Sequence, residues 1–289
     1  MTGFDTITFL SDYGSGDEFV GVVKSVLRQM APQALVIDLS HDLAPFDVRA
    51  ASLTLARSVQ YLAPGVILAV VDPGVGTARR AVAVEVAGGK AVLVGPDNGV
   101  LAAGAAMIGG AERAVVLDRV EYHLESFGST FDGRDVFAPV AAHLCNGVTL
   151  DELGSFIDPS SLVPGLLPVA REEGDTLVVE VLWVDRFGNC QLNVDADDIE
   201  RFGERIEYRI DGRRRTAAVV AAFADVGVGD IGLLVDSNGL MALVANRSSA
   251  AEELALDSGD QIILAEATLA TGMSTAVTLG RRDEGGGNP

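Results

Sequence analysis

The segment Asp72–Arg80 combines a carboxylate, two glycines and a guanidinium directly after the apolar run Val66–Val71. The apolar run predicts a buried strand, and open α/β sheets bind ligands just beyond the carboxyl ends of their strands. A strand followed by Asp72 and then by Arg79 is therefore typical of a site that holds a small polar reactant. The alternative is plain turn chemistry at Asp-Pro-Gly with solvated arginines, and the segment alone favours neither interpretation.

Two further predicted strands also end near an aspartate. Asp12 follows the strand predicted over residues 6–10, and Asp97 follows the one predicted over 91–94. Together with Asp72, they would place three carboxylates at one edge of a sheet, in a negative, hydrogen-bonding pocket. Asp12 suits a vicinal diol, since a carboxylate accepts two hydrogen bonds at once. Each aspartate alone is more often a turn residue, but their recurrence favours the pocket.

The segment 129–139 is dense in hydrogen-bond donors and acceptors and runs into an apolar stretch. Within it, Arg134 and Asp135 are expected to pair with each other and close a loop. Asp132 lies beside a glycine and is better placed to face a ligand.

A later segment, 185–189, leaves another predicted strand with the sequence Asp-Arg-Phe-Gly-Asn. Phe187 and Asn189 suit a purine, because they combine a stacking ring with an amide that hydrogen-bonds to a base edge. The alternative is an ordinary core phenylalanine and an ordinary turn asparagine. Since these groups and those of the first half fall in two predicted domains, they imply a pocket at an interface, a common ligand location.

The elements that position these groups change character midway along the chain. The first half alternates strands and helices, which predicts an α/β domain with a mostly parallel sheet over residues 1–160. Its first helix has one apolar face, with Asp17 and Glu18 in the first turn. A linker rich in proline and glycine is predicted over 161–175, and a smaller antiparallel domain, a β-barrel or a β-sandwich, over 176–270. Residues 271–289 are expected to form a disordered tail.

Composition restricts the classes of function. Of the 289 residues, 41 are acidic and 21 basic, so the net charge of −20 argues against a nucleic-acid or anionic-membrane partner. The two cysteines indicate no disulfide framework, and the three separated histidines indicate no zinc site. The Walker motif and the G-x-S-x-G elbow are absent, and a dinucleotide fingerprint is incomplete. We expect a cytoplasmic protein with no metal and no membrane span.

At this point the motifs match a known family. From about residue 6 to 265, the chain resembles the S-adenosyl-L-methionine (SAM) hydroxide adenosyltransferases, which are related to fluorinating and chlorinating enzymes. The resemblance rests on the ordered blocks Leu10–Gly14, Ile37–His41, Val70–Thr77, Val94–Gly99, Thr130–Asp135 and Phe187–Asn189.

The resemblance implies that water or hydroxide displaces methionine at the 5′ carbon of SAM, giving adenosine and L-methionine. It also implies an α/β domain, a β-barrel, and a homotrimer with active sites between subunits. SAM is then the substrate, and no other cofactor is expected. The family's Asp-Arg-His set, which holds the water, corresponds to Asp72, Arg79 and the position of Asp132. The substrate-binding positions that it implies are Asp12 for the ribose, Phe46 and Phe131 for the pocket walls, and Thr130 and Gly133 as further contacts. They also include Phe187, Asn189 and Phe223 for adenine, and Asp185 and Ser237 for the methionine end.

Asp132 departs from the family, which usually has histidine at this position. A second carboxylate near Asp72 should raise one of the two pKa values, so we expect activity with a changed pH profile. Two alternatives remain: a halogenase, and a SAM-binding protein without catalysis. The halogenating relatives place an aromatic hydroxyl where this chain has Pro73-Gly74 and a serine where it has Gly133. These differences favour water as the nucleophile.

Overall fold

The computed structural model describes residues 3–267, and the chain divides into two compact units between Val169 and Ala170. This division falls inside the segment 161–175, for which the sequence predicts a linker. The predicted tail, 271–289, lies outside the described residues. Within residues 3–267, no helix is long and apolar enough to cross a membrane.

The first unit is a seven-stranded sheet with helices on both faces. Its strands lie in the order β2-β1-β3-β5-β4-β6-β7, and β2, β1, β3 and β5 run parallel, which confirms the predicted mostly parallel sheet. The strands are β1 (Thr6–Ser11), β2 (Leu35–Ser40), β3 (Gly65–Val70), β4 (Ala81–Val86), β5 (Ala91–Pro96), β6 (Arg113–Val116) and β7 (Ser155–Ile157). The helices are α1 (Phe19–Met30), α2 (Val48–Ser58), α3 (Ala102–Met107), α4 (Ala138–Cys145) and α5 (Leu150–Leu153).

Strand β3 lies in the middle of this unit and is buried on both faces. Val66, Leu68 and Val70 belong to a hydrophobic cluster with α1 and α4. The alternate residues of β3 belong to a second cluster with α2 and α3. A strand that is covered on both faces has apolar residues at consecutive positions, and the sequence of β3 shows this pattern.

One strand of this unit departs from the parallel majority, and one local prediction for a helix is wrong. Strand β4 runs antiparallel to β5, because no crossover helix separates β3 from β4 and a short turn joins β4 to β5. Helix α1 has no acidic residue in its first turn, although Asp17 and Glu18 were expected there. The hydrogen bond from Val22 N to Glu18 O makes Glu18 the N-cap, so Asp17 precedes the helix.

The second unit is a closed β-barrel, as predicted. Strand β10 pairs with both β14 and β9, which closes a ring of seven strands, and β8 extends it beside β9. Among the residues of this unit that the structure describes, every strand pairing is antiparallel except that of β12 with β13. The strands are β8 (Arg171–Glu173), β9 (Thr176–Val184), β10 (Cys190–Leu192), β11 (Arg205–Ile210), β12 (Arg213–Val219), β13 (Gly232–Val235), β14 (Met241–Val244) and β15 (Gln261–Glu266), and the helices are α6 (Ala196–Ile199) and α7 (Ala250–Leu254).

Candidate functional site

A cavity of about 420 Å³ lies at the carboxyl edge of the first unit's sheet. Strands β1 and β3 are parallel neighbours, with Ser11 opposite Val70, so Asp12 and Asp72 leave the sheet side by side. The volume is in the range of small-ligand pockets. The lining residues are Asp12, Tyr13, Asp17, Phe19, Pro45, Phe46, Val70, Asp72, Val75, Thr130, Phe131, Asp132 and Gly133.

Arg79 bridges two carboxylates at the base of this cavity. Its Nε donates to both oxygens of Asp72 at 3.0 Å, and its Nη2 donates to Asp72 Oδ2 and to Asp132 Oδ2. All three side chains are largely buried, and the Arg79 guanidinium also lies over the Phe137 ring, 5.1 Å from its centroid. Burial opposes the charge on Arg79, but its bonds to both carboxylates raise its pKa, so it remains a cation.

The loop between β3 and β4 is shaped to bring Arg79 back onto Asp72. Thr77 Oγ1 donates to Gly74 O at 2.6 Å and accepts from Arg79 N at 3.3 Å, which tightens the turn. Gly76 has φ +77°, and a Cβ there would approach Ser129 O to 2.8 Å. A side chain at residue 76 would therefore be strained and would push away the segment that leads to Asp132.

Asp132 is placed by the start of a π-helical turn, Gly133–Phe137, that leads into α4. The amides of Arg134 and Asp135 both donate to Phe131 O at 3.0 Å, and the Arg134 side chain pairs with Asp135 at 2.6 and 2.9 Å. The turn is thus closed by its own residues. Asp132 at its entrance is left to face Arg79 and the cavity.

Asp12 both stabilises a neighbouring loop and lines the cavity. Its Oδ2 accepts a hydrogen bond from Phe46 N at 2.8 Å. Phe46 has φ +70°, a left-handed conformation that is rare for an aromatic residue, and its ring is 72% exposed. Strained residues of this kind occur where a ligand is clamped. The carboxylate of Asp12 therefore anchors an aromatic wall beside the cavity that it also lines.

Asp97 does not line this cavity, so the prediction that it joins Asp12 and Asp72 is wrong. Its side chain is 4% exposed, and it accepts from Arg80 Nε at 2.7 Å and from Val163 N at 2.8 Å. Arg80 in turn donates to Ser161 O at 2.5 Å. Asp97 and Arg80 together tie the segment after β7 to the end of β5, which is a structural role.

Six lining residues were not among the residues predicted for the site: Tyr13, Asp17, Phe19, Pro45, Val70 and Val75. Phe19 has the helical spacing of a core residue, yet it is 37% exposed because α1 begins at the cavity. Tyr13 directly follows Asp12, and this adjacency in the sequence could have indicated that Tyr13 also lines the cavity. Burial, together with the charges of Asp12, Asp72 and Asp132, raises the pKa of the Tyr13 phenol against the opposing effect of Arg79. The part of the chain that the structure describes has no group of three or more His, Cys, Asp or Glu side chains that could hold a metal ion.

The candidate residues of the second unit lie on three turns of the barrel. On the first turn, Asp185 Oδ1 accepts from Phe187 N at 2.8 Å and from Asn189 N at 2.9 Å, and Asn189 Nδ2 donates to Asp185 Oδ2 at 2.7 Å. Asp185 therefore holds the turn in shape, and the Phe187 ring is left 78% exposed. Phe223 begins a short 3₁₀ turn, and Ser237 is exposed in the turn between β13 and β14.

Comparison with family models gives matches over both units. The SAM hydroxide adenosyltransferase N-terminal domain matches residues 7–154, and the C-terminal domain of the same family matches residues 179–263.

Known relatives cover nearly the whole chain. An (R)-S-adenosyl-L-methionine hydrolase from Salinispora tropica is 43% identical over 89% of this chain and 96% of its own. One from Thermus thermophilus is 41% identical over 88% of this chain and 96% of its own. A fluorinase from an Actinoplanes species is more distant, at 25% identity over 92% of this chain and 99% of its own. The crystal structure of an uncharacterized conserved protein from Thermotoga maritima superposes with a TM-score of 0.82 at 34% identity, covering 90% of this chain and 99% of that one.

The burial of Asp97 leads to a stability prediction. We expect Asp97→Ala to lower the free energy of unfolding by about 2 kcal/mol or more, because it leaves Arg80 and Val163 N without their acceptor. Asp151→Ala is the matched control, since Asp151 also pairs with an arginine, Arg113, but is 59% exposed. Its loss should be below about 1 kcal/mol. Urea denaturation measures both, and equal losses would contradict the structural role of Asp97.

Proposed function

Since this chain belongs to the SAM hydroxide adenosyltransferase family, we propose that it hydrolyses SAM to adenosine and L-methionine in the cavity above Asp72. The single observation that supports this location most directly is the Arg79 bridge between Asp72 and Asp132 at the base of a cavity that Asp12 also lines. This arrangement holds a cation and several acceptors where a water can be oriented. It is the part of the first unit best suited to bind a polar reactant.

The reaction needs alignment more than acid catalysis. The water oxygen forms a bond to the 5′ carbon while the bond from that carbon to sulfur breaks, and the electron pair stays on sulfur. Methionine leaves as a neutral thioether, so no proton has to be delivered to it. The water loses one proton, which passes to a carboxylate of the site or to solvent. Positioning and exclusion of bulk water then provide the acceleration.

The charges of the cavity fit a sulfonium substrate. Asp12, Asp17, Asp72 and Asp132 line it, and Arg79 is the cation held against two of them. A net negative wall attracts the positive sulfur of SAM and loses that attraction when the neutral thioether forms. Arg79 cannot act as a base because its pKa is raised above an already high value. We therefore assign it the role of orienting the nucleophile, together with Asp72 and Asp132.

We assign the remaining contacts by their chemistry. Asp12 accepts hydrogen bonds from the ribose hydroxyls through the acceptor sites of its carboxylate that the bond from Phe46 N does not use. Thr130, Phe131, Gly133 and Phe46 form the walls around the ribose. In the second unit, Phe187 and Phe223 stack on or abut adenine, Asn189 hydrogen-bonds to its edge, and Asp185 and Ser237 bind the methionine end.

We further propose that the chain acts as a homotrimer in the cytoplasm, with each active site formed by residues of two subunits. The Phe187 ring is 78% exposed, so it is available for contact with a substrate bound at such a shared site. The two buried free cysteines agree with a reducing compartment.

The decisive experiment is incubation with SAM followed by chromatography for adenosine. We expect Arg79→Lys to lower kcat/KM at least about 100-fold, because lysine cannot bridge two carboxylates with a planar fork. Arg113→Lys is the matched control: it alters an arginine–carboxylate pair outside the cavity and should change kcat/KM less than about twofold. Absence of adenosine with bound SAM would favour the non-catalytic alternative, and 5′-halo-5′-deoxyadenosine in halide buffer would favour a halogenase.

Replacement of Asp132 tests the departure from the family's histidine. We expect Asp132→Asn to lower kcat at least about tenfold, because the neutral amide no longer balances the charge of Arg79. Asp132→His, which introduces the family's residue, should keep more activity than the asparagine variant. An unchanged kcat in Asp132→Asn would remove Asp132 from the catalytic set.

The shared active site leads to a complementation experiment. Phe187→Ala should raise KM about tenfold through loss of base stacking, whereas Phe156→Ala, an exposed phenylalanine of β7, should not. At SAM concentrations well below KM, co-expression of Arg79→Lys with Phe187→Ala chains should raise kcat/KM above that of either variant alone, because some sites then contain neither substitution. No recovery, or a light-scattering mass other than that of three chains, would contradict the shared-site trimer.

A further inference from the structure

The sequence block Ile37–His41 contributes to the family resemblance but has no role in the proposed reaction. In the structure, this block takes part in a chain of hydrogen bonds that runs from the protein surface to the end of β1. Lys24 Nζ donates to Asp38 Oδ2 at 2.8 Å, and the other oxygen of Asp38 lies 3.1 Å from His41 Nε2. His41 Nδ1 lies 2.7 Å from Ser11 Oγ. Both nitrogens of the imidazole are therefore hydrogen-bonded.

The hydrogen bonds of this chain have one direction that satisfies every group. Burial opposes the charge of Asp38, but the hydrogen bonds from Lys24 and His41 lower its pKa, so Asp38 is an ionised acceptor. His41 Nε2 then carries the proton that it donates to Asp38, and Nδ1 accepts the hydroxyl proton of Ser11. Ser11 Oγ in turn accepts from Tyr13 N at 3.4 Å. Asp38 thus fixes the orientation of the imidazole, and the imidazole fixes the hydroxyl of Ser11.

The arrangement of Ser11, His41 and Asp38 is that of the hydrolase triads, in which the serine attacks the substrate. Here the serine cannot attack, because Ser11 is fully buried and is not among the residues that line the cavity. The His41 ring also packs edge-on against the buried Phe9 ring, at 4.6 Å between centroids, which holds it in place. The chain of hydrogen bonds is therefore suited to holding a backbone segment and not to supplying a nucleophile.

His41 joins two loops that line the cavity. The loop after β1 carries Asp12, and the loop after β2 leads to Phe46. At their bases, Gly14 N donates to His41 O at 2.8 Å, beside the side-chain bond between His41 and Ser11. At the cavity, Phe46 N donates to Asp12 Oδ2. A strained backbone such as that of Phe46 persists only where its surroundings hold it, so the position of the Asp12 carboxylate depends on the bonds at His41.

We propose that His41 is a positioning residue: through Ser11 and the loop after β1, it holds the Asp12 carboxylate where the ribose hydroxyls bind. This inference rests on the proposed function and deepens it, since it assigns what places the ribose contact. His41 does not line the cavity and is not bonded to the Arg79 bridge. Its loss should therefore weaken the binding of the nucleoside through Asp12 alone.

Calorimetric titration with adenosine tests the positioning without relying on turnover. We expect His41→Ala to raise the dissociation constant for adenosine at least about tenfold, and Asp12→Ala to raise it at least as much. The double variant should bind little more weakly than Asp12→Ala alone, because His41 acts through Asp12. His143→Ala is the matched control: His143 also packs edge-on against a ring, that of Tyr122, but does not line the cavity. Its dissociation constant should change less than about twofold.

Two further replacements of His41 separate its two hydrogen bonds. Asparagine places Oδ1 near the position of Nδ1, so His41→Asn keeps an acceptor for Ser11. Glutamine places its amide near the position of Nε2, so His41→Gln keeps only the donor to Asp38. We expect His41→Asn to bind adenosine within about threefold of the wild type and His41→Gln to resemble His41→Ala. A side chain needed only to fill space would give the reverse order, since glutamine is closer to histidine in volume.

The outcomes separate the positioning role from the proposed function. Additive losses for His41→Ala and Asp12→Ala, or an asparagine variant that binds no better than the glutamine variant, would overturn the positioning role even where the wild type forms adenosine from SAM. A wild type that binds adenosine but forms none from SAM would overturn the hydrolase, and the binding cycle would still decide the positioning role. A wild type that does not bind adenosine would overturn both.

Discussion

The cavity of the first unit depends on one guanidinium shared by two carboxylates. Asp72 and Asp132 come from different loops and would repel each other if brought together alone. Arg79 lies against both and is itself sheltered by the Phe137 ring, so the attraction acts where water screens it little. In a chain with a net charge of −20, a fixed cation at this point is what allows acidic side chains to converge.

The sheet explains why these loops meet. Neighbouring parallel strands β1 and β3 place Asp12 and Asp72 at one edge, as the rule for open α/β sheets requires. The turn after β3 then reverses the chain without a crossover helix, which makes β4 antiparallel and returns Arg79 to the cavity. Gly76 of that turn is needed for close approach, since a side chain at this position would displace the segment leading to Asp132.

The proposed chemistry follows from the same charge pattern. A sulfonium is bound by negative walls, becomes neutral when its bond to carbon breaks, and needs no acid to leave. The protein then has to place a water and exclude competing nucleophiles. Ionised carboxylates only accept hydrogen bonds, so the four aspartates that line the cavity suit water, which can donate to them, better than they suit a halide.

Much of the fold and part of the cavity were accessible from the sequence. Apolar runs identified the strands, helical periodicity identified α1, and the repeated pattern of a strand followed by aspartate located Asp12 and Asp72 because strand ends share an edge. Asp97 has the same local pattern, yet it is buried against Arg80. Asp72 pairs with Arg79 at the cavity, whereas Asp97 pairs with Arg80 away from it. The local sequence around each aspartate does not show which arginine it will contact.

The sequence by itself determined the residue types available for chemistry, the two-part architecture and the family. Only the tertiary structure decided which groups act together: that Arg79 bridges Asp72 and Asp132, that Phe19 faces a cavity instead of the core, and that Tyr13 excludes a side chain at Gly133. The physical reason is that periodicity reports the local burial of a segment. Contacts between residues more than a hundred positions apart, such as Tyr13 and Gly133, depend on how whole elements pack.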